Sequence, residues 1–203
     1  MEPLVITHPP LSKLSLWQKI AFSAALLERM LPNYQMFSQA ADFGDYTLLR
    51  NQLNLIWQRL DKSQKVNINY QAQLTKLEEQ IPDPEAFDFF GVFPALDAAM
   101  GLMSLLQAMQ DNEDDEGFNA VSILSANSVT FYLELMLAQA SEPNDAALVA
   151  DEEIEQHPLM IWEQEMQNEL FSFIQNTTEN KQTCAEIKKI ALSEGLSNLG
   201  IEI

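Results

Sequence analysis

Seven polar side chains gather between positions 28 and 50: Glu28, Arg29, Asn33, Tyr34, Asp42, Asp45 and Arg50. An arginine can hold an anion through two parallel N–H bonds while a neighbouring carboxylate takes up a proton. On that chemistry Arg29, Tyr34, Asp45 and Arg50 mark a candidate site for a small ligand or a reaction, with Glu28 and Asn33 beside them. The same residues bracket three helix junctions, where capping and ion pairing call for the same residue types. Asp97 is a further candidate, because it interrupts the most apolar stretch of the chain and an unpaired buried carboxylate is expensive. Near a helix N-terminus its charge would be favoured; in a cleft it could act.

Other chemistries find no support. There is no G-x-G-x-x-G, no G-x-x-x-x-G-K-[ST] and no G-x-S-x-G, so nucleotide-binding and hydrolase signatures are missing. With Cys184 alone and two histidines, the chain lacks the ligands of a zinc site. A di-iron carboxylate bundle needs Glu-x-x-His, but Ile154 and Val5 stand three residues before His157 and His8. The run 111–116 (DNEDDE) resembles a calcium loop only superficially, with Glu116 where the EF-hand needs glycine and Ser122 at its twelfth position. His8 falls in an N-terminal segment expected to have little structure, and His157 precedes Pro158 as an exposed or capping residue. No catalytic residue, metal ligand set or cofactor is assigned.

The elements that must position these residues are helices. Gly is scarce at 6, and no regular clusters of turn residues punctuate the chain as strands require. Ser15 and Gln18 form a capping box, and Leu16, Ile20, Ala24 and Leu27 follow at helical spacing until Pro32. Pro32 is expected to end that helix and open a short one reaching Gly44. Asp45 caps the next, with Leu49, Leu53, Ile56 and Leu60 inward. Further helices are expected over about 67–80, 94–110, 118–140, 158–175 and 181–194, the third of these preceded by a polar loop at 111–117 and followed by another at 141–145. The 94–110 segment is apolar nearly all round, which places it at the centre. The expected fold is all-α: a compact single-domain bundle of about seven to nine helices spanning 1–203, with 1–14 poorly structured and the tail 196–203 docked on the body. No run is expected to reach the roughly 18 apolar residues that a membrane span needs.

Charge narrows the partners. The formal net charge is −19, and 22 of the 30 acids lie between Lys76 and Lys181, a stretch without a single Lys or Arg. Direct binding to nucleic-acid phosphates or an anionic membrane is disfavoured, since both draw on basic side chains. One cysteine and no basic, apolar leader fit a cytoplasmic protein.

Three stretches carry a resemblance. The run Glu28 to Trp57 (ERMLPNYQMFSQAADFGDYTLLRNQLNLIW), Phe87 to Ala98 (FDFFGVFPALDA) and Ser197 to Ile201 (SNLGI) resemble the YjaG-like family of uncharacterised bacterial proteins, a domain of unknown function. With the Trp17-Gln18 start, the likeness extends over nearly the whole chain. It implies an all-helical fold in a bacterial cytosol and brings no activity with it. The leading expectation is therefore a soluble protein-binding or adaptor domain for a basic protein, in its sharpest form a nucleic-acid mimic. The alternative is a small-ligand binder or enzyme at Arg29, Tyr34, Asp45 and Arg50; a homodimer closing its core is a third.

Overall fold

Ser15 begins the fold as its sequence suggests: its hydroxyl accepts from Gln18 N while the Gln18 side chain accepts from Ser15 N. The computed structural model describes residues 8–63, 65–112, 115–140 and 149–203. Among these are eight α-helices: α1 (Leu16–Ala41), α2 (Tyr46–Leu60), α3 (Tyr70–Glu78), α4 (Val92–Asp111), α5 (Asp115–Ala140), α6 (Asp151–Glu155), α7 (Pro158–Gln175) and α8 (Lys181–Ala191). The fold is all-α, and an isolated antiparallel bridge joins Leu196 to Glu202.

Pro32 does not break the first helix. α1 runs through it as one 26-residue element and stops only at Asp42, whose left-handed backbone (φ 50°) closes the C-terminus. Proline within a helix costs about 3 kcal/mol through its missing N–H and its ring. Here buried side chains on both sides of it, Leu27 and Met30 before and Tyr34 and Phe37 after, hold the two halves in one axis.

α1 is the hub: it packs against α2, α4, α5, α7 and α8, while α4 lies between α1 and α5. Small residues let α1 and α4 approach closely. A Cβ added at Gly101 would stand 3.3 Å from the Leu27 side chain. The apolar character of α4 and α5 follows from this position, although by length and composition both Val92–Asp111 and Asp115–Gln139 could cross a membrane, contrary to the expectation from the sequence. Met100, expected inside, lies at the surface, as do Phe131 and Leu135 of α5.

The acidic turn after α4 is shorter than expected. Asp111 ends α4, and Asp115 and Glu116 already belong to the first turn of α5, where their charge suits the helix dipole. Residues 113 and 114 and the expected loop at 141–145 lie outside the described residues. The N-terminal segment is also more ordered than expected from residue 8 onward. Leu11 and Leu14 are buried, and His8 Nδ1 lies 2.8 Å from Ser122 Oγ. The tail packs as well: Ser197 and Asn198 are fully buried, and Asn198 N donates to Arg29 O. His157 caps α7, its Nδ1 accepting from Leu159 N.

Two apolar clusters result. The larger gathers α1, α2 and α4 with parts of the other helices. The smaller joins the C-terminal half of α5, α6, the start of α7 and the tail, through Val129, Leu133, Ile154, Met160 and Leu199.

Candidate functional site

The polar residues of α1 and α2 do not converge on one point but fall into separate groups: Glu28 with Arg50, Arg29 with Glu163, and Tyr34 and Asp45 on Gln80. Glu28, nearly buried, accepts a fork from Arg50 (Nη1–Oε2 2.6 Å, Nη2–Oε1 2.9 Å) and a third bond from Trp57 Nε1 at 2.8 Å, with Lys188 Nζ at 3.9 Å. That cluster ties α1 to α2 and α8. Arg29 points elsewhere and pairs with Glu163 of α7, both side chains fully buried, with its guanidinium 4.5 Å from the centre of the Trp162 ring. Asn33 Nδ2 donates to Asn198 Oδ1 (2.8 Å), and Asn198 Nδ2 passes the connection to Ser125 O on α5 (3.0 Å). Tyr34 OH donates to Gln80 O (2.8 Å), and burial, followed by the charge of Asp45, pushes its pKa up to about 12. Asp45 caps α2 through Thr47 N and Leu48 N. Arg29, Tyr34, Asp45 and Arg50 thus brace α1 and α2 against their neighbours, because a helix of 3.6 residues per turn aims neighbouring side chains at different helices.

A buried polar network escaped the sequence reading. Ser122 Oγ donates to Gln167 Oε1 (2.6 Å), while Gln167 Nε2 and Ser125 Oγ donate to Glu163 Oε1 at 2.8 and 2.6 Å. Its trace in the sequence is periodic: Ser122, Ser125 and Ser128 recur every third residue in an apolar helix, and Glu163 and Gln167 stand one turn apart. Burial lowers the pKa of His8 at the edge of this network, against the opposing influence of Gln167 and Glu163.

Shallow concavities of about 350 and 340 Å³ lie beside Asp45 and beside Trp57 and Lys188, and a further one opens where the two apolar clusters meet without filling the seam. A pocket of about 400 Å³ opens there, lined by Asn33, Met36 and Phe37 of α1, Phe89, Phe90 and Pro94 around the start of α4, Tyr132 of α5, and Leu199 and Ile201 of the tail. Met36 (49% exposed) and Phe89 (42%) present large apolar surfaces at this seam. A neighbouring cavity of about 310 Å³ is lined by Phe93, Leu96 and Asp97 of α4 with Asn127, Thr130, Phe131 and Glu134 of α5. One aromatic group borders both: Phe90 stacks on Phe131 (centroids 6.2 Å, 16°) and touches Tyr132 (5.7 Å), and Phe93 meets Phe131 at 4.6 Å.

Asp97 belongs to the neighbouring cavity, six residues into α4, and accepts from Ser128 Oγ on Oδ2 (2.7 Å). Burial raises its pKa from 3.8 to about 6, against the smaller opposing effect of Ser128. The folded chain thus holds this proton at pH values where the unfolded chain has lost it. The group's contribution to stability is fully present below the unfolded value and disappears as pH rises through about 6. Relative to an Asp97→Asn variant, wild-type stability is expected to fall between about pH 4 and pH 7, as thermal melts across that range will show. A constant difference would contradict the assignment.

Taken together, the molecule is an α-helical domain with internal ionic braces and a paired aromatic pocket, and the described residues hold no cluster of three or more His, Cys, Asp or Glu suited to a metal ion. Residues 7–202 match the family described as "Protein of unknown function (DUF416)". The chain belongs to that family. It is 36% identical over 195 residues to the uncharacterised protein YjaG of Escherichia coli K12, covering 96% of this chain and 95% of that one. It is 34% identical to YjaG of Salmonella typhimurium over 195 residues, with the same coverage. The crystal structure of a DUF416 family protein from Shewanella baltica superposes with a TM-score of 0.82 at 33% identity, covering 97% of this chain and 100% of that one.

Proposed function

We propose that this chain is a non-catalytic, cytoplasmic protein-binding domain, and that the paired pocket seats a basic, amphipathic segment of a partner protein. One observation carries the reading. The segments that wall the larger pocket, 33–40, 89–94, Tyr132 and 199–201, contain no Lys or Arg, while Asp42, Asp88, Glu134 and Glu202 stand exposed within two residues of them in the chain. Six of the 11 bases sit instead on α2, the turn after it and α8: Arg50, Arg59, Lys62, Lys181, Lys188 and Lys189. An apolar seat ringed by a single sign of charge favours a partner with an apolar anchor and flanking cations, and speeds its approach.

A partner that normally binds nucleic acid would be the mimic form of this reading. Several carboxylates of the acidic stretch are, however, engaged internally: Glu163 with Arg29, Glu179 with Lys62 and Asp115 with Lys19. The pocket rather than a continuous acidic surface is therefore taken as the recognition element. A second copy of the chain is a poorer occupant, because it would bring the same acids to the same rim.

Affinity capture at low and moderate salt tests the proposal, comparing wild type with Phe89→Asp. A basic partner retained by wild type, released by salt and lost with Phe89→Asp is the expected result. Partners shared equally by the two proteins, or a self-association visible in light scattering and lost with Phe89→Asp, would overturn it.

A further inference from the structure

We infer that the cavity of Asp97 and Glu134 is a subsite for a guanidinium group, in the first place the side chain of an arginine in the bound segment. The inference rests on the reading above and gives the partner's cation a place. Three features of the cavity converge on that chemistry. Carboxylates enter from two helices, Asp97 from α4 and Glu134 from α5, with no basic side chain in the lining. Ser128 occupies Oδ2 of Asp97, which leaves that group's second oxygen to accept from a ligand. Thr130 Oγ1, also in the lining, has no hydrogen-bond partner within the protein.

The walls distinguish a guanidinium from an ammonium. Phe93 and Phe131 meet at 4.6 Å with their planes 51° apart, offering aromatic faces beside the carboxylates. A guanidinium is flat, weakly hydrated and carries five donors, so it can stack on a ring while its edge bonds to carboxylate oxygens. An ammonium is compact, strongly hydrated and has no flat face to stack. The same aromatic group borders the larger pocket through Phe90, so an arginine and an apolar anchor close together in one segment would engage both cavities.

The test uses the intact protein and butylguanidinium chloride as probe, followed by amide chemical shifts at constant ionic strength. Saturable shifts at Phe93, Asp97, Thr130 and Phe131 are expected, with butylammonium at least tenfold weaker. Asp97→Asn, which keeps the side-chain shape, and the surface variant Glu134→Gln should each weaken butylguanidinium at least tenfold. Glu169→Gln, an equal loss of charge at an exposed position of α7, should leave it unchanged. Unsaturable shifts, equal binding of the two cations, or equal weakening by Glu169→Gln would overturn the subsite. A peptide placing arginine near an aromatic residue separates the two claims. Binding more than tenfold tighter than butylguanidinium supports both, whereas binding no tighter supports the subsite for a free guanidine and counts against the bound segment.

Discussion

Replacing Glu163 by alanine destabilises the protein by about 3–5 kcal/mol, because it leaves the Arg29 guanidinium buried without its counter-charge. Arg29 and Glu163 are both fully buried, and Arg29 Nε and Nη2 already lack partners, so no other protein group takes over the lost charge. The substitution also takes away the acceptor of the Ser125 hydroxyl and of one Gln167 N–H, which extends the loss into α5 and α7. For a chain of this size the loss lowers Tm by about 10 °C, measurable by thermal melts. Removing both charges together should cost much less: Arg29→Met with Glu163→Met restores most of the stability, because apolar side chains of similar volume replace a buried pair well. If the double variant were as unstable as Glu163→Ala, the loss would lie in packing and in the hydrogen bonds of Ser125 and Gln167, not in the stranded charge.

Gly44→Ala is expected to cost about 3 kcal/mol, combining a left-handed backbone with a direct collision. Gly44 has φ +73°, and a Cβ built there would stand 2.1 Å from Tyr34 OH. The turn between α1 and α2 therefore closes against that hydroxyl, which is itself fixed by Gln80 O. Tyr34→Phe removes the colliding oxygen and leaves the next ring atom at 3.2 Å. In a double-mutant cycle Gly44→Ala should then be milder in the Tyr34→Phe background by about 1 kcal/mol, since the direct collision is gone and only the backbone strain and a tight ring contact remain. Additive effects would show that the turn yields without pressing on the ring.

Local rules read most of the helices correctly because their signals sit within a few residues. Ser15 with Gln18 and Asp45 ahead of Thr47 both act over one turn of chain. Pro32 defeated the same reasoning, since the burial that carries α1 through it depends on helices far away in the sequence. The order of residues 8–14 escaped for a similar reason: Leu11 is buried against elements more than a hundred residues on, in the 3-10 turn Leu11–Lys13 that packs on α5. Partner identity was the least legible part of the site. Arg29 and Glu28 stand out as charges in a buried helix, but Glu163 lies 134 residues from Arg29, a separation no spacing rule reaches. Asp97 was singled out correctly as an anomaly in an apolar helix. Its cavity depends on Glu134 and Thr130 of α5, which only the packing of the two helices brings to it.

Selection of a random peptide library on the immobilised protein tests most directly whether the paired pocket recognises a basic, amphipathic segment. Wild type should enrich peptides of net positive charge that place an arginine close to a bulky apolar residue, and Phe89→Asp and Asp97→Asn should each lose them. No enrichment, enrichment without positive charge, or peptides held equally by all three proteins would contradict the account.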